Sequence, residues 1–376
     1  MHAIVNGRIL LPTGEVTGQA LLFDNVILGL CEQPPENAQI TDAKDRYVAP
    51  GLIDTHIHGY LGADASDADS DGLRRMAEGL LRNGVTSFLP TTMTVPLRQL
   101  RSAFAVIRGM MAESALPDFR GAQILGCHAE GPFIAPARKG AQREDACLLP
   151  DANLLLQDAD VIRLATVAPE LPGAMECIRA LIDAGIHVSL GHTDCDLLSA
   201  LDALKAGANR FTHTFNAMSP LHHRQPGAAG AALISDAYCE LIADCFHVHP
   251  GLFALLDKLK NEKLLLVSDC TRAGGMPDGQ YDLGGQTITV CGAECRLADG
   301  TIAGSVLRLN EAVRNLREHT PMPMYKAVRC ASETPARSLG LDAHKGSLRT
   351  GRDADILLMN EDCSVEAAWI RGVRKL

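Results

Sequence analysis

Hydrophobic positions along the chain follow two different rhythms. From residue 1 to about 48, short β-branched and aliphatic runs are broken by Asn6-Gly7, Pro12-Thr13-Gly14 and Asp24-Asn25, the punctuation of short antiparallel strands. The other end repeats it, with an apolar run at 354–359, a polar turn at Asn360-Glu361-Asp362 and a second run at 367–373. Residues 1–48 and 345–376 are therefore expected to pair into one small β-sandwich domain. Between them, residues 49–344 alternate amphipathic helices with short apolar runs. Three such helices end at Asn83-Gly84-Val85, Ala184-Gly185-Ile186 and Ala206-Gly207-Ala208, where glycine suits the left-handed residue that terminates a helix. Eight runs stand out as strands, at 51–54, 86–90, 124–127, 162–167, 186–190, 210–212, 239–243 and 264–268. Helix–strand alternation with eight strands predicts a (β/α)8 barrel of the TIM type, about 250 residues in its usual form. An open doubly wound sheet would want a G-x-G-x-x-G after its first strand, and the chain has none there.

Composition narrows the function. With 47% hydrophobic residues the chain is globular rather than disordered. No apolar run approaches the ~18–20 residues of a membrane span, and the first residues lack the basic and apolar regions of a secretion signal. The 12 cysteines form no C-x-x-C pair, which fits reduced thiols and a cytoplasmic location. A net charge of −10 argues against nucleic acid or an anionic membrane as partner. An anionic small molecule stays open if positive charge clusters locally.

Polar residues of metal-binding type follow the predicted strands. After the first come His56 and His58, after the third His128 and Glu130, after the fifth His192, after the sixth His213, and after the eighth Asp269. Alternation in an extended chain points His56 and His58 the same way. Alone, H-x-H is as well explained by a structural pair. Imidazoles and carboxylates at the C-terminal ends of several barrel strands, however, converge on one mouth, where barrel active sites lie. Three or more N/O donors there describe a catalytic site for a divalent ion.

The run Pro50-Gly51-Leu52-Ile53-Asp54-Thr55-His56-Ile57-His58-Gly59 resembles the opening metal motif of the amidohydrolase superfamily. His128-Ala129-Glu130-Gly131-Pro132-Phe133, Ala168-Pro169-Glu170, Leu190-Gly191-His192-Thr193, Thr212-His213-Thr214-Phe215-Asn216-Ala217-Met218, Ile242-Ala243-Asp244 with His247, Val267-Ser268-Asp269 and Ala303-Gly304-Ser305 narrow the resemblance to the N-acetylglucosamine-6-phosphate deacetylase family, over essentially the whole chain. The resemblance implies metal-dependent hydrolysis of the N-acetyl group of N-acetyl-D-glucosamine 6-phosphate to glucosamine 6-phosphate and acetate. It implies Glu130, His192 and His213 as ligands of the main ion and His56 and His58 as ligands of a second. One or two divalent ions per subunit are expected, zinc first, with iron, manganese or cobalt as alternatives. Asp269 matches the family's catalytic carboxylate. Asn216 and Ala217 are implied at the sugar phosphate, Ile302 and Ala303 at the substrate, and His247 near the acetamide, where the chemistry suits it as donor to the developing oxyanion. Arg224 is implied to reach the phosphate of the neighbouring subunit, which makes the chain a homodimer. Some relatives carry a substrate-contacting histidine where this chain has Gln142, so the contact there is left open.

Chemistry adds two expectations. Amide cleavage needs an activated water and a protonated leaving nitrogen, and Asp269 is suited to move both protons. The segment 271–279, rich in glycine, reads as a flexible lid, and the loop 219–227 concentrates His222, His223 and Arg224 for phosphate. Rival readings are the galacto epimer as substrate, a cyclic-amide hydrolase of the same superfamily, and a non-catalytic scaffold. The cyclic-amide enzymes use a carboxylated lysine after the fourth strand, and 162–168 holds no lysine. A scaffold would be expected to have lost ligands, and none is missing.

Overall fold

The computed structural model describes all 376 residues. Its centre is a ring of parallel strands: β1 (Leu52–Ile57), β2 (Val85–Thr92), β3 (Cys127–Glu130), β4 (Ile162–Val167), β5 (His187–Leu190), β6 (Arg210–Phe211), β7 (Tyr238–Ile242) and β8 (Leu264–Val267). Each pairs with the next, β1 with β2 through β7 with β8. The rim closes where the Asp269 N–H, just past β8, donates to the His56 carbonyl of β1 at 2.9 Å. The expected (β/α)8 barrel is the fold of the chain.

Local sequence explains the alternation. The helix Ser70–Arg82 buries Leu73, Met76, Ala77, Leu80 and Leu81, the stripe that presses one helical face onto a sheet. Asp69 caps it by accepting from the Asp71 N–H at 3.0 Å. Gly84 then takes φ +79°, a left-handed turn open to glycine, and β2 begins at Val85. One strand lies off its expected place. The run 124–127 divides into a short bridge at Gln123–Ile124 beside β2 and the strand β3 proper. Gly126 makes the break, with φ +150° and no room for a side chain, since a Cβ there would lie 2.2 Å from Arg163 Cγ. The consequence is functional, because His128 and Glu130 then stand on the strand itself.

The terminal segments form two sheets. One orders Ile27–Cys31, Ala20–Phe23, His2–Val5 and Gln39–Asp42; the other orders Val373–Arg374, Val365–Ile370, Ile356–Met359, Tyr47–Pro50, Arg8–Leu11 and Gly14–Val16. They share a separate core that includes Ile4, Phe23, Val48, Ile356 and Trp369, with Phe23 edge-on to Trp369 at 6.1 Å. Tyr47–Pro50 runs directly into β1, so the small sheet anchors the strand that carries His56 and His58.

The segment 271–279 is not a loose lid. Arg272 sits 2.8 Å from Asp67 and 3.6 Å from Asp282, the Thr271 N–H donates to Ser305 O, and Leu61 N–H donates to Gly274 O, both at 2.9 Å. Asp64 and Asp67 from far earlier in the chain and Asp282 from just beyond it all hold Arg272, tying down the start of a segment whose glycines alone suggest mobility. A three-stranded meander, Gly279–Leu283, Gln286–Cys291 and Glu294–Leu297, follows and walls the barrel mouth. No helix is long and apolar enough to cross a membrane.

Candidate metal centre and active site

Strand alternation and strand ends place the site residues. His56 and His58 flank Ile57 and share a face of β1, as His128 and Glu130 share a face of β3. Glu130 reaches the mouth. His128 lies beneath it, 2.8 Å from Thr166 Oγ1 and with its ring 4.7 Å from that of His56. His192, His213 and Asp269 follow β5, β6 and β8 at φ +47°, +29° and +50°. Left-handed backbone costs a non-glycine residue about 1–3 kcal/mol and tends to cluster where function demands it. Here it marks three side chains where strand gives way to loop.

These side chains meet around Glu130. Its Oε1 lies 3.2 Å from His56 Nε2, 3.2 Å from His192 Nε2 and 3.1 Å from His213 Nε2, and its Oε2 lies 3.2 Å from His58 Nε2. Asp269 Oδ1 is 3.1 Å from His58 Nε2 and 3.4 Å from His56 Nε2. On the far side of three rings, Nδ1 faces a backbone carbonyl: Thr91 for His58 at 3.0 Å, Arg138 for His192 at 2.9 Å and Asn216 for His213 at 3.1 Å. A carbonyl only accepts, so Nδ1 carries the hydrogen, which leaves Nε2 as the atom aimed at the carboxylates and free to offer a lone pair to a cation. His192 Nε2 and His213 Nε2 lie 3.1 Å apart. Lone pairs facing each other and two carboxylates leave the centre short of positive charge. Burial opposes charge on His58, yet Asp269 and Glu130 outweigh it and push the imidazole up to about 10. Burial likewise opposes charge on Asp269, and His56 and His58 overcome it to hold the carboxyl down at about 2. A divalent cation fits this donor set. Two overlapping groups could hold one, His56–His58–Glu130 and Glu130–His192–His213.

The amidohydrolase family model matches residues 47–375, which include every one of these residues. The chain belongs to the amidohydrolase family. It is 42% identical over 346 residues to an N-acetylglucosamine-6-phosphate deacetylase of Bacillus subtilis (strain 168), covering 90% of this chain and 87% of the relative. It is 36% identical over 377 residues to an N-acetylgalactosamine-6-phosphate deacetylase of Escherichia coli O157:H7, covering 99% and 98%. The crystal structure of N-acetylglucosamine-6-phosphate deacetylase from Pasteurella multocida superposes with a TM-score of 0.94 at 31% identity, over 99% of each chain.

Around the amidohydrolase centre lies a cavity of about 380 Å³ lined by His58, Glu130, Gln142, His192, Asn216, Ala217, His247, Asp269 and Ile302. Gln142 is buried; its amide N–H donates to Glu130 Oε2 at 2.5 Å and its carbonyl accepts from the Thr94 N–H at 2.7 Å. It steadies the central carboxylate through Oε2, the oxygen that also faces His58. His247 Nδ1 lies 2.6 Å from Asp244 Oδ2. Ala303 is fully buried and stands behind a wall made by Thr301, Ile302 and Gly304. Arg224 is outside this cavity. It is exposed, 2.8 Å from His223 Nε2, in a neighbouring hollow of about 560 Å³ with Asp194, His222 and Gln225. Arg138 lines both spaces, its guanidinium 2.8 Å from Asp194. All cysteines are unpaired. Burial pushes the Cys127, Cys245 and Cys270 thiols up, away from thiolate chemistry.

Three residues of the site escape a strand-end reading: Glu240, Arg210 and Arg138. Glu240 and Arg210 were visible only as charges inside apolar runs. Arg138 carries no signal beyond its charge.

Proposed function

We propose that the chain removes the acetyl group of N-acetyl-D-glucosamine 6-phosphate, giving D-glucosamine 6-phosphate and acetate. The observation that carries this reading is the convergence of four imidazoles and Glu130 on a charge-deficient point beside Asp269, in a chain of this family. Glu130, His192 and His213 would hold one divalent ion, zinc in our reading, and His56 and His58 a second that shares Glu130; iron, manganese and cobalt suit the same donors. When bound, such an ion supplies Lewis acidity, polarising an amide carbonyl and acidifying water.

The chain's own groups do the rest. Asp269 takes the proton of the attacking water on its carboxylate and passes it to the departing nitrogen, so that an amine leaves rather than an amide anion. His247 donates from Nε2 to the oxygen that gains charge, a contribution of about 3–4 kcal/mol in comparable sites. Asp244, on Nδ1, orients the ring and balances the imidazolium that this donor role requires. Gln142 fixes Glu130. Asn216 and Ala217 hold the sugar phosphate, and Ile302 forms part of the wall beside it, with Ala303 packed behind that wall rather than on the cavity surface.

A phosphate dianion needs positive charge, and Arg224 lies outside the cavity of its own chain. We read it as reaching the phosphate of a second copy, in a homodimer with shared sites, through the two parallel hydrogen bonds a guanidinium offers. Twelve free cysteines, most of them buried, fit a reducing compartment, and we read the enzyme as cytoplasmic and acting on a small molecule. The Escherichia coli relative supports a second reading, the galacto epimer as substrate. A deacetylase assay on both 6-phosphorylated epimers, with and without chelator, decides. Acetate release from the gluco sugar, abolished by chelator, is the expected result; faster release from the galacto sugar would transfer the assignment, and release from neither would end it.

A further inference from the structure

We propose that the buried Arg210–Glu240 pair positions the second metal site by fixing His56 with its hydrogen on Nδ1 and its lone pair on Nε2. The inference rests on the metal-dependent reading above.

Glu240 stands in the middle of β7, Tyr-Cys-Glu-Leu-Ile, and it and Arg210 are both wholly buried. A charge pair at the heart of a barrel is costly to desolvate, and apolar side chains of equal volume often serve stability as well or better. Its contacts show what it does instead. Glu240 Oε1 accepts from Arg210 Nη1 at 3.2 Å; Oε2 accepts from the His213 backbone N–H at 3.1 Å and faces His56 Nδ1 at 3.0 Å. Arg210 is itself fixed by Thr55 Oγ1 at 3.1 Å and by Ser338 Oγ. Beside an arginine the carboxylate stays ionised and can only accept, so the hydrogen sits on His56 Nδ1.

The other ring nitrogen completes the case. His56 Nε2 is fully buried and has no hydrogen-bond partner, while carboxylate oxygens of Glu130 and Asp269 stand 3.2 and 3.4 Å away. An unpartnered lone pair aimed between carboxylates is a ligand atom waiting for a cation. The other three imidazoles at the mouth are set by neutral backbone carbonyls. Of the four imidazoles gathered on Glu130, only His56 is set by a charged group, and a carboxylate behind a histidine both locks its tautomer and strengthens it as a donor. Glu240 is thus a positioning residue: it touches neither the cavity nor the reacting atoms.

Two double variants and one wild-type measurement test this, with zinc as the probe. Glu240→Leu with Arg210→Met removes the acceptor and both charges. Glu240→Gln with Arg210→Met removes the charges and keeps an acceptor oxygen. Zinc titration followed by elemental analysis is expected to show two ions in the wild type and, in the leucine variant, 10–100-fold weaker binding of one of them, with the glutamine variant recovering most of the loss. A purely structural pair would affect both variants alike. Equal affinities in all three proteins, equal losses in both variants, or one ion in the wild type would each overturn the proposal. Nitrogen-15 spectra of histidine-labelled, zinc-loaded wild type, assigned with His56→Ala, keep it testable if a variant does not fold: hydrogen on Nδ1 is expected, and hydrogen on Nε2 refutes it. Chelator-sensitive acetate release by the wild type, measured alongside, separates failure here from failure of the deacetylase reading.

Discussion

Replacing Asp269 by asparagine changes one oxygen for an amide nitrogen and leaves shape almost untouched. The residue lies 3.1 Å from His58 Nε2 and 3.4 Å from His56 Nε2, yet belongs to neither ligand group that gathers on Glu130. Metal content should therefore stay at the wild-type value. Chemistry should not. Each proton transfer by a positioned group is worth ~10²–10⁴ in rate, and asparagine can neither take a proton from water nor give one to nitrogen. Because the two transfers share one residue, a loss of at least ~10³ in kcat is expected, or about 4 kcal/mol at 1.36 kcal/mol per decade. KM should change little. Acetate release from N-acetylglucosamine 6-phosphate, with elemental analysis of the same sample, gives both numbers. A variant that keeps a tenth of wild-type kcat refutes Asp269 as the proton carrier; one that loses its metal shows that Asp269 is a ligand instead.

Glu130→Ala or His192→Ala should strip the main ion together with activity, whereas His56→Ala combined with His58→Ala should leave one ion per chain; elemental analysis finding none would reverse the two positions. Arg224→Ala should raise KM for the phosphorylated sugar and barely affect an unphosphorylated analogue. Mixed with Asp269→Asn subunits it should restore up to about half the activity per heterodimer, because one shared site then carries both lesions and the other neither; no recovery after verified subunit exchange means Arg224 serves its own chain or no chain. Lys345, buried with Asp355 at 2.8 Å and Asp353 at 3.1 Å, should cost about 3–5 kcal/mol when replaced by methionine. Burial lowers the lysine's proton affinity, but the two aspartates win and raise it above the ordinary 10.5. The stabilisation is thus full below pH 10.5 and lost as pH rises through the higher folded value, so the Tm gap between wild type and variant should close in strong alkali; a gap unchanged there would mean packing, not charge, was lost.

What the chain reveals in one dimension is what depends on neighbours in sequence. Helix stripes, glycine stops and apolar runs are local, and they located the barrel strands to within a few residues. β3 starts later than its apolar run because Gly126, at φ +150° and with no room for a Cβ beside Arg163, breaks it, a constraint from the neighbouring strand that no run of residues announces. The clustering of His56, His58, His192, His213 and Asp269 around Glu130 was legible for a related reason. A barrel sends the ends of all its strands to one mouth, so a histidine or glutamate at a strand end has a known destination before any coordinate is known. Arg272 shows the limit of that logic. Its glycine-rich segment reads as mobile until Asp64, Asp67 and Asp282 arrive from elsewhere and fix it. Arg210 and Glu240 show the limit more sharply, because a charge inside an apolar strand reads as an irregularity. Only pairing β6 with β7 and closing the barrel onto β1 shows that these two charges answer each other and that what remains of Glu240 is spent on His56. A buried charge in a strand is therefore the signal to follow inward from such a sequence: the barrel has to neutralise it, and the group that does so stands next to the chemistry.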